Sequence, residues 1–387
     1  MENAQTQIAG AGNVKATPFW RRKAQEMFLK FLPPSVTLNG NQPHDIVIHD
    51  EQTYARVLLQ GSLGLGDSYV DGWWDCEALD QFFSRVLSPD LIRKLRYSPP
   101  TFLYSLKHRF LNLQKKADAF KIAEHHYNLG NDLYRAMLGP TMVYTCAYWK
   151  NATTLDAAQE AKLDLVCRKV QLKPGMTLLD IGCGWGGLAK HAAQKYGAKV
   201  VGVTVSKEQV EFARESCAGL SVDVRLQDYR EVRGEFDRVV SVGCLEHVGP
   251  KNHRTYMETA HRCLKRGGLF LMHTIGQAED FPPDPWTVKN IFPAGALPVP
   301  RHFVTAAEGL FDFLDLHEFG SDYDPTLMAW FKNFDESWPA LRGQYDERFY
   351  RMWKYYLLFC VGFFRTGIFK LYQVVFGKEV RGYLSVR

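Results

Sequence analysis

Residues 178–187, LLDIGCGWGG, end a hydrophobic run on Asp180 and turn at once through Gly182, Gly184 and Gly186. Glycines at alternate positions let the backbone approach a ligand closely, and they open the next helix, predicted over 188–196, whose free N-terminal amides face the same crevice. The pattern reads as an enzyme that holds a nucleotide-like ligand. Gly182, Gly184 and Gly187 also satisfy the G-x-G-x-x-G dinucleotide fingerprint, which expects an acidic residue at the end of the following strand to hold a ribose hydroxyl. That strand, predicted over 199–203, runs into Thr204, and no carboxylate follows before Glu208. NAD is therefore disfavoured.

Outward from this turn, short β-branched strands at 177–181, 199–203, 222–226, 236–242 and 268–275 alternate with amphipathic helices. Such alternation predicts an α/β fold, an open and mainly parallel doubly wound, Rossmann-like sheet with helices on both faces. Ligands in these sheets sit beyond the carboxyl ends of the strands, where the strand order reverses. Residues up to about 117 form a separate unit by composition, a smaller α+β domain with a strand at 45–49 and a helix at 52–59. Turn-rich connections are expected at 38–43 and in the aromatic loop GLGDSYVDGWW, residues 64–74. The division is expected at 118/119, with residues 1–118 contacting lipid or membrane and 119–387 forming the catalytic domain. The segment 281–301 carries six prolines and reads as a lid or substrate-shaping insertion.

At 387 residues, 46% hydrophobic and 23% charged, the chain has room for two domains of ordinary globular composition. The eight cysteines include no C-x-x-C pair, and the first ten residues lack the basic start and apolar run of a signal peptide. A reducing cytoplasm is expected. Arg21-Arg22 is followed by Lys23, Gln25, Glu26 and Lys30, which excludes a twin-arginine export signal. The longest apolar run, 355–364, is about half of the roughly 20 residues that span a bilayer.

The net charge of +5 does not indicate nucleic acid, but it is unevenly placed. Residues 85–121 hold nine Lys or Arg against Asp90 and Asp118, so nine minus two leaves +7 there and −2 elsewhere. Phe102, Leu106, Phe110, Leu113, Ala117 and Phe120 recur at helical spacing between Lys107, Arg109, Lys115, Lys116 and Lys121. Residues 19–32 mix Trp20, Met27, Phe28 and Phe31 with Arg21, Arg22, Lys23 and Lys30 in the same way. One reading is a pair of surface helices packed inward by their apolar faces. The other is contact with an anionic membrane surface, where each basic residue contributes about 1 kcal/mol.

Polar residues cluster at the predicted strand ends. Thr204 and Gln209 follow the second strand and are placed to bond ribose hydroxyls, while Gln227 and Asp228 follow the third and are placed to meet an adenine. Caps and turns would use Thr204 and Asp228 equally well. Glu246 and His247 follow the fourth strand, and His273 lies on the fifth. No metal site is expected, because His247, His253 and His261 lack ligand spacing and no cysteine pair completes a set.

The order Asp-x-Gly-x-Gly-x-Gly at 180–186 resembles the first motif of class I S-adenosylmethionine (AdoMet) methyltransferases. Together with HHYNLGNDLYRAMLGPTMVYTCAYW (125–149), VVGVTVSKEQ, LQDYR, VSVGCLEHVGPKN, LFLMHTIG, FGSDYDPTLMAW (319–330) and GLGDSYVDGWW, it is similar to the bacterial cyclopropane-fatty-acyl-phospholipid synthases over nearly the whole chain. The resemblance implies transfer of the AdoMet methyl to a cis double bond of an acyl chain esterified in phospholipid, then closure to a cyclopropane. It implies a bound bicarbonate as the base, at positions matching the side chains of Cys146, Glu246, His273 and Tyr323 and the backbone of Ile275. Tyr144 and Thr145 would close over AdoMet, beside Asp180, Gly182, Gly184, Gly186, Thr204, Gln209, Gln227 and Asp228. Cys360, in LLFCVGFF, matches a cysteine assigned to the active site, although a buried core thiol is the plainer reading. A homodimer, peripheral to the inner face of the membrane, is implied as well. The competing readings are a methyltransferase that leaves the ring open, a small-molecule N-methyltransferase, and a catalytically silent lipid-binding protein.

Overall fold

The computed structural model describes residues 18–88, 91, 130–293 and 295–387. The expected boundary at 118/119, the basic helix around Lys107, Arg109, Lys115 and Lys116, and the start of the 125–149 motif lie outside them.

Two sheets form. A minimal one pairs β1 (Val47–Ile48) with β2 (Trp74–Asp75), a two-residue remnant of the strand expected at 45–49. The main sheet has seven strands in the order β5-β4-β3-β6-β7-β9-β8. Its parallel part is β3 (Thr177–Ile181), β4 (Lys199–Thr204), β5 (Val222–Leu226), β6 (Phe236–Val242) and β7 (Leu264–Gln277), where sequence periodicity places five strands. Two strands absent from that reading extend the sheet beyond β7: β9 (Phe369–Gly377) pairs antiparallel with β7, and β8 (Asp312–Glu318) pairs antiparallel with β9. β9 escapes a period-2 test because seven consecutive residues, Leu371 to Gly377, are buried, leaving no polar alternation. The strand order reverses between β4 and β6 on either side of β3, so β3 and β6 flank the switch point.

The aromatic segment 64–74 is not a loop. Helix Ser62–Val70 occupies most of it, and its glycines mark close packing: a Cβ on Gly66 would lie 2.4 Å from the Trp286 ring, and one on Gly64 2.3 Å from the Arg56 carbonyl oxygen. Trp286 belongs to the proline-rich segment, where Asp284 caps helix Pro285–Asn290 by accepting the Thr287 N–H at 2.9 Å. With its ring fully buried against Tyr355 (4.5 Å), that segment is clamped between the N-terminal helices and helix Glu347–Arg365.

The largest hydrophobic cluster joins Phe28, Trp74, Phe82 and Phe83 to Tyr134, Trp330, Tyr355 and Phe359. The N-terminal helices thus share a core with the C-terminal ones. Helix Pro18–Leu29 buries Phe28 but leaves Phe19 67% and Trp20 60% exposed, so the inward-packed reading of this stretch fails for its first turn.

Candidate active site

The residues expected to meet the cofactor lie along the carboxyl edge of the parallel strands. After β3 the chain turns through Gly182, Gly184 and Gly186, all at positive φ (81°, 55° and 83°), a region that disfavours side chains. A Cβ on Gly184 would meet no atom within 4 Å, so the turn opens on free space. Asp180 behind it is 2% exposed and its Oδ2 has no hydrogen-bond partner. Burial pushes its carboxyl up to about 7, against the pull of Lys162. An orphaned acceptor beside an open glycine cradle fits a ligand that carries ammonium or hydroxyl donors.

Thr204 and Gln209 meet at the end of β4, where Thr204 Oγ1 donates to Gln209 Oε1 at 2.7 Å and Ser206 caps helix Lys207–Ser216. The Asp228 carboxylate is engaged by Arg230, accepting from Nε at 2.8 Å, Nη2 at 2.6 Å and the backbone N–H at 2.9 Å. Gln227 is half-buried, and its N–H donates to the Thr204 carbonyl at 2.9 Å. These four side chains are therefore assembled at adjacent strand ends, with three of them bonded within the protein.

A second cluster gathers at the ends of β6 and β7. Glu246, in the short helix Leu245–Val248, accepts the Ile275 N–H on Oε1 at 2.6 Å, and its Oε2 is buried without a partner. Burial raises this carboxyl to about 7. His273 sits two residues before Ile275, on the same face of β7, with Nε2 buried and unpartnered. Burial, followed by Lys162, Lys169 and His317, holds its pKa well below the ordinary value, so the imidazole is neutral. Cys146 is fully buried and a thiol for the same reason, 3.9 Å from Thr326 Oγ1. Tyr323 opens helix Tyr323–Leu341 with its ring stacked on Phe364 at 4.2 Å, and burial keeps its phenol protonated. Tyr144 shares a 2.8 Å hydrogen bond with the Tyr356 hydroxyl.

Glu246, Ile275, Tyr323, Tyr144, Thr145 and Cys360 line one cavity of about 760 Å³. Cys146 and His273 are not in its wall. Cys360 is half-buried, packed against the main hydrophobic cluster and also in the cavity wall, and burial raises its pKa, so it presents a thiol and not a thiolate. Most of the remaining lining is apolar, with Phe82, Phe83, Phe359 and Phe363, interrupted by Gln60, Ser62, His247, Gln277, Asp284 and Thr287, and it reaches Phe31, Leu58 and Leu59 of the N-terminal helices. Leu59 is 73% exposed, which puts the far end of the cavity at the surface.

Sequence reasoning missed three buried polar residues here. On helix Leu155–Lys169, Lys162 donates to Thr145 Oγ1 at 2.8 Å and Gln159 to the Thr145 carbonyl at 2.8 Å, so the wall at Thr145 is held from beneath. Burial lowers the Lys162 ammonium to about 7. Gln373 on β9 lies 3.3 Å from His273 Nδ1. The available signal was a lone polar residue within an apolar face or run, as in FKLYQVVFG.

Residues 114–374 match the model of the mycolic acid cyclopropane synthetase family, which takes in every strand from β3 to β8. The chain belongs to the mycolic acid cyclopropane synthetase family. It is 49% identical over 368 residues, 95% of this chain and 96% of the relative, to the cyclopropane-fatty-acyl-phospholipid synthase of Escherichia coli K12. Among solved structures, the cyclopropane synthase MmaA2 of Mycobacterium tuberculosis superposes with a TM-score of 0.64 at 30% identity, covering 69% of this chain and 100% of its own. The mycolic acid cyclopropane synthase CmaA1, complexed with SAH and CTAB, gives 0.63 at 32% identity, with 66% and 97% covered. As a member of the mycolic acid cyclopropane synthetase family, the chain is an AdoMet-dependent methyltransferase with the class I sheet.

Proposed function

We propose that this enzyme transfers the methyl carbon of AdoMet to the cis double bond of an unsaturated acyl chain in a membrane phospholipid and closes a cyclopropane ring. The observation that carries the reading is the cavity, polar where Glu246, Tyr323, Tyr144 and Thr145 converge and lined mainly by aromatic and aliphatic side chains on its way to the exposed Leu59. An acyl chain needs such a passage, open at the end where the headgroup stays in the bilayer. A water-soluble amine would not need it, which disfavours the N-methyltransferase reading.

An alkene has no proton to lose before attack on a sulfonium, so the first step needs position and not a base. Ring closure then releases a proton. A bicarbonate held by Cys146, Glu246, His273, Tyr323 and the Ile275 backbone supplies that base when bound. The Tyr323 phenol and the neutral His273 are suited to donate to an anion, whereas the Ile275 N–H is spent on Glu246. Negative charge in a cavity lined by aromatic rings also favours a cationic carbon over its neutral precursor.

The reading includes a cytoplasmic enzyme, peripheral to the inner face of the membrane and homodimeric, whose residues 1–118 meet an anionic surface. Exposed Phe19 and Trp20 beside Arg22 and Lys23 support that contact. No described helix is long and apolar enough to cross a membrane. Mass spectrometry of lipids from cells expressing the protein tests the chemistry. Phospholipids one CH2 heavier that have lost the alkene are expected. Heavier lipids that keep an alkene would instead establish methylation without ring closure.

A further inference from the structure

His273 on β7, Gln373 on β9 and His317 on β8 form one rung across three strands, with Gln373 the register partner of both histidines. Gln373 is fully buried within a strand whose other residues from Leu371 to Gly377 are buried too. A primary amide in such a place is costly unless it bonds. Its Nε2 lies 3.3 Å from His273 Nδ1, and on the far side of the ring Nε2 of His273 is buried with no partner. Glu246, whose Oε1 accepts the N–H of Ile275 two residues along β7, has its Oε2 orphaned as well.

A neutral imidazole carries one proton, and the partner of one nitrogen decides what the other offers. When an amide N–H donates to Nδ1, the proton sits on Nε2, which becomes a donor. When an amide carbonyl takes the Nδ1 proton, Nε2 is a lone pair that repels an anion. We infer that Gln373 is a positioning residue that donates to His273 Nδ1 and fixes the Nε2–H tautomer, so that the ring donates into the anion-binding cluster. The inference rests on the reading of Glu246, His273, Tyr323 and Cys146 as that cluster. It accounts for an amide in an apolar strand: a leucine would leave the tautomer unset, and a glutamate, accepting only, would hold the proton on Nδ1.

The test is 15N NMR of the histidine-labelled protein, with His273→Asn assigning the resonances. A protonated Nε2 and a bare Nδ1 are expected in the parent. Gln373→Leu should give a mixed or inverted pair, with kcat lowered at least tenfold and the KM for AdoMet unchanged. Gln373→Glu should move the proton to Nδ1. A parent with its proton on Nδ1, or an unaltered tautomer in Gln373→Leu, overturns the inference, and the parent spectrum decides even if a variant does not fold. Adding bicarbonate separates the two claims. If the His273 Nε2 signal ignores it while the tautomer is as expected, the anion reading fails and the role of Gln373 stands. If the signal shifts but the proton is on Nδ1, the role of Gln373 alone fails.

Discussion

Glu246 Oε1 accepts the backbone N–H of Ile275 at 2.6 Å, which ties the helix after β6 to the end of the neighbouring β7. The carboxylate is thereby held over the cavity with one oxygen used and one free of partners. Because burial brings its pKa to about 7, its charge is set near neutrality and not far below it.

Replacing that charge without changing shape, Glu246→Gln, is expected to lower activity by about one to two orders of magnitude. A charge-assisted contact is worth roughly 1.5–3 kcal/mol, and its loss appears in rate if deprotonation limits turnover. AdoMet affinity by calorimetry should hold. A loss of affinity in proportion to the loss of rate would move Glu246 into the cofactor pocket.

Stability should carry the mark of the two buried carboxyls. Asp180 and Glu246 rise from ordinary values of 3.8 and 4.5 to about 7 in the folded protein, which therefore binds more protons than the unfolded chain in between. Their contribution is complete below the ordinary values and is lost as pH climbs through about 7. Denaturant titrations between roughly pH 5 and pH 8 should show a shallower loss in Asp180→Asn and Glu246→Gln than in the parent, by on the order of 1–3 kcal/mol each. Identical pH slopes would contradict the shifts.

Gly184→Val tests the glycine turn. The position has φ 55° and open space before it, so valine meets backbone strain of about 1–3 kcal/mol without a clash and projects into the cradle. AdoMet affinity should fall by more than tenfold (about 1.4 kcal/mol) while cooperative thermal unfolding persists. Parent-like affinity would put the cofactor elsewhere.

Gly362→Ala tests the shared core. A Cβ there would lie 2.4 Å from the Phe83 Cβ and 3.1 Å from its carbonyl carbon, so the helices Leu79–Val86 and Glu347–Arg365 must separate. Overpacking of this kind costs about 1–3 kcal/mol. The same helix carries Phe359, Cys360 and Phe363 in the cavity wall, so lipid product should fall further than AdoMet affinity. A Tm equal to the parent's would show that the contact yields freely.

Legibility in the sequence followed the range of the physics. The turn at 180–186 and the five parallel strands could be read because strand periodicity and a positive-φ glycine are local properties, written in neighbouring residues. Ser62–Val70 could not, since its glycines resemble turn formers until Arg56 and Trp286 are seen against them. β9 gave no alternation because both of its faces are covered. Asp228, equally open to a cap or a ligand in the sequence, proved to be engaged by Arg230.

What the sequence determined by itself was the α/β order and the glycine turn that opens at a strand end. What only the tertiary structure decided was charge and direction. Asp180, Glu246 and Lys162 are ordinary ionisable residues in a chain, and they are brought to about 7 by burial that elements far apart in sequence supply together. Gln373 stands one hundred residues from His273 and beside it in space, because antiparallel pairing of β9 with β7 sets their register. Hydrogen-bond partners and desolvation depend on which surfaces close over a group, and a sequence pattern carries no record of that closure.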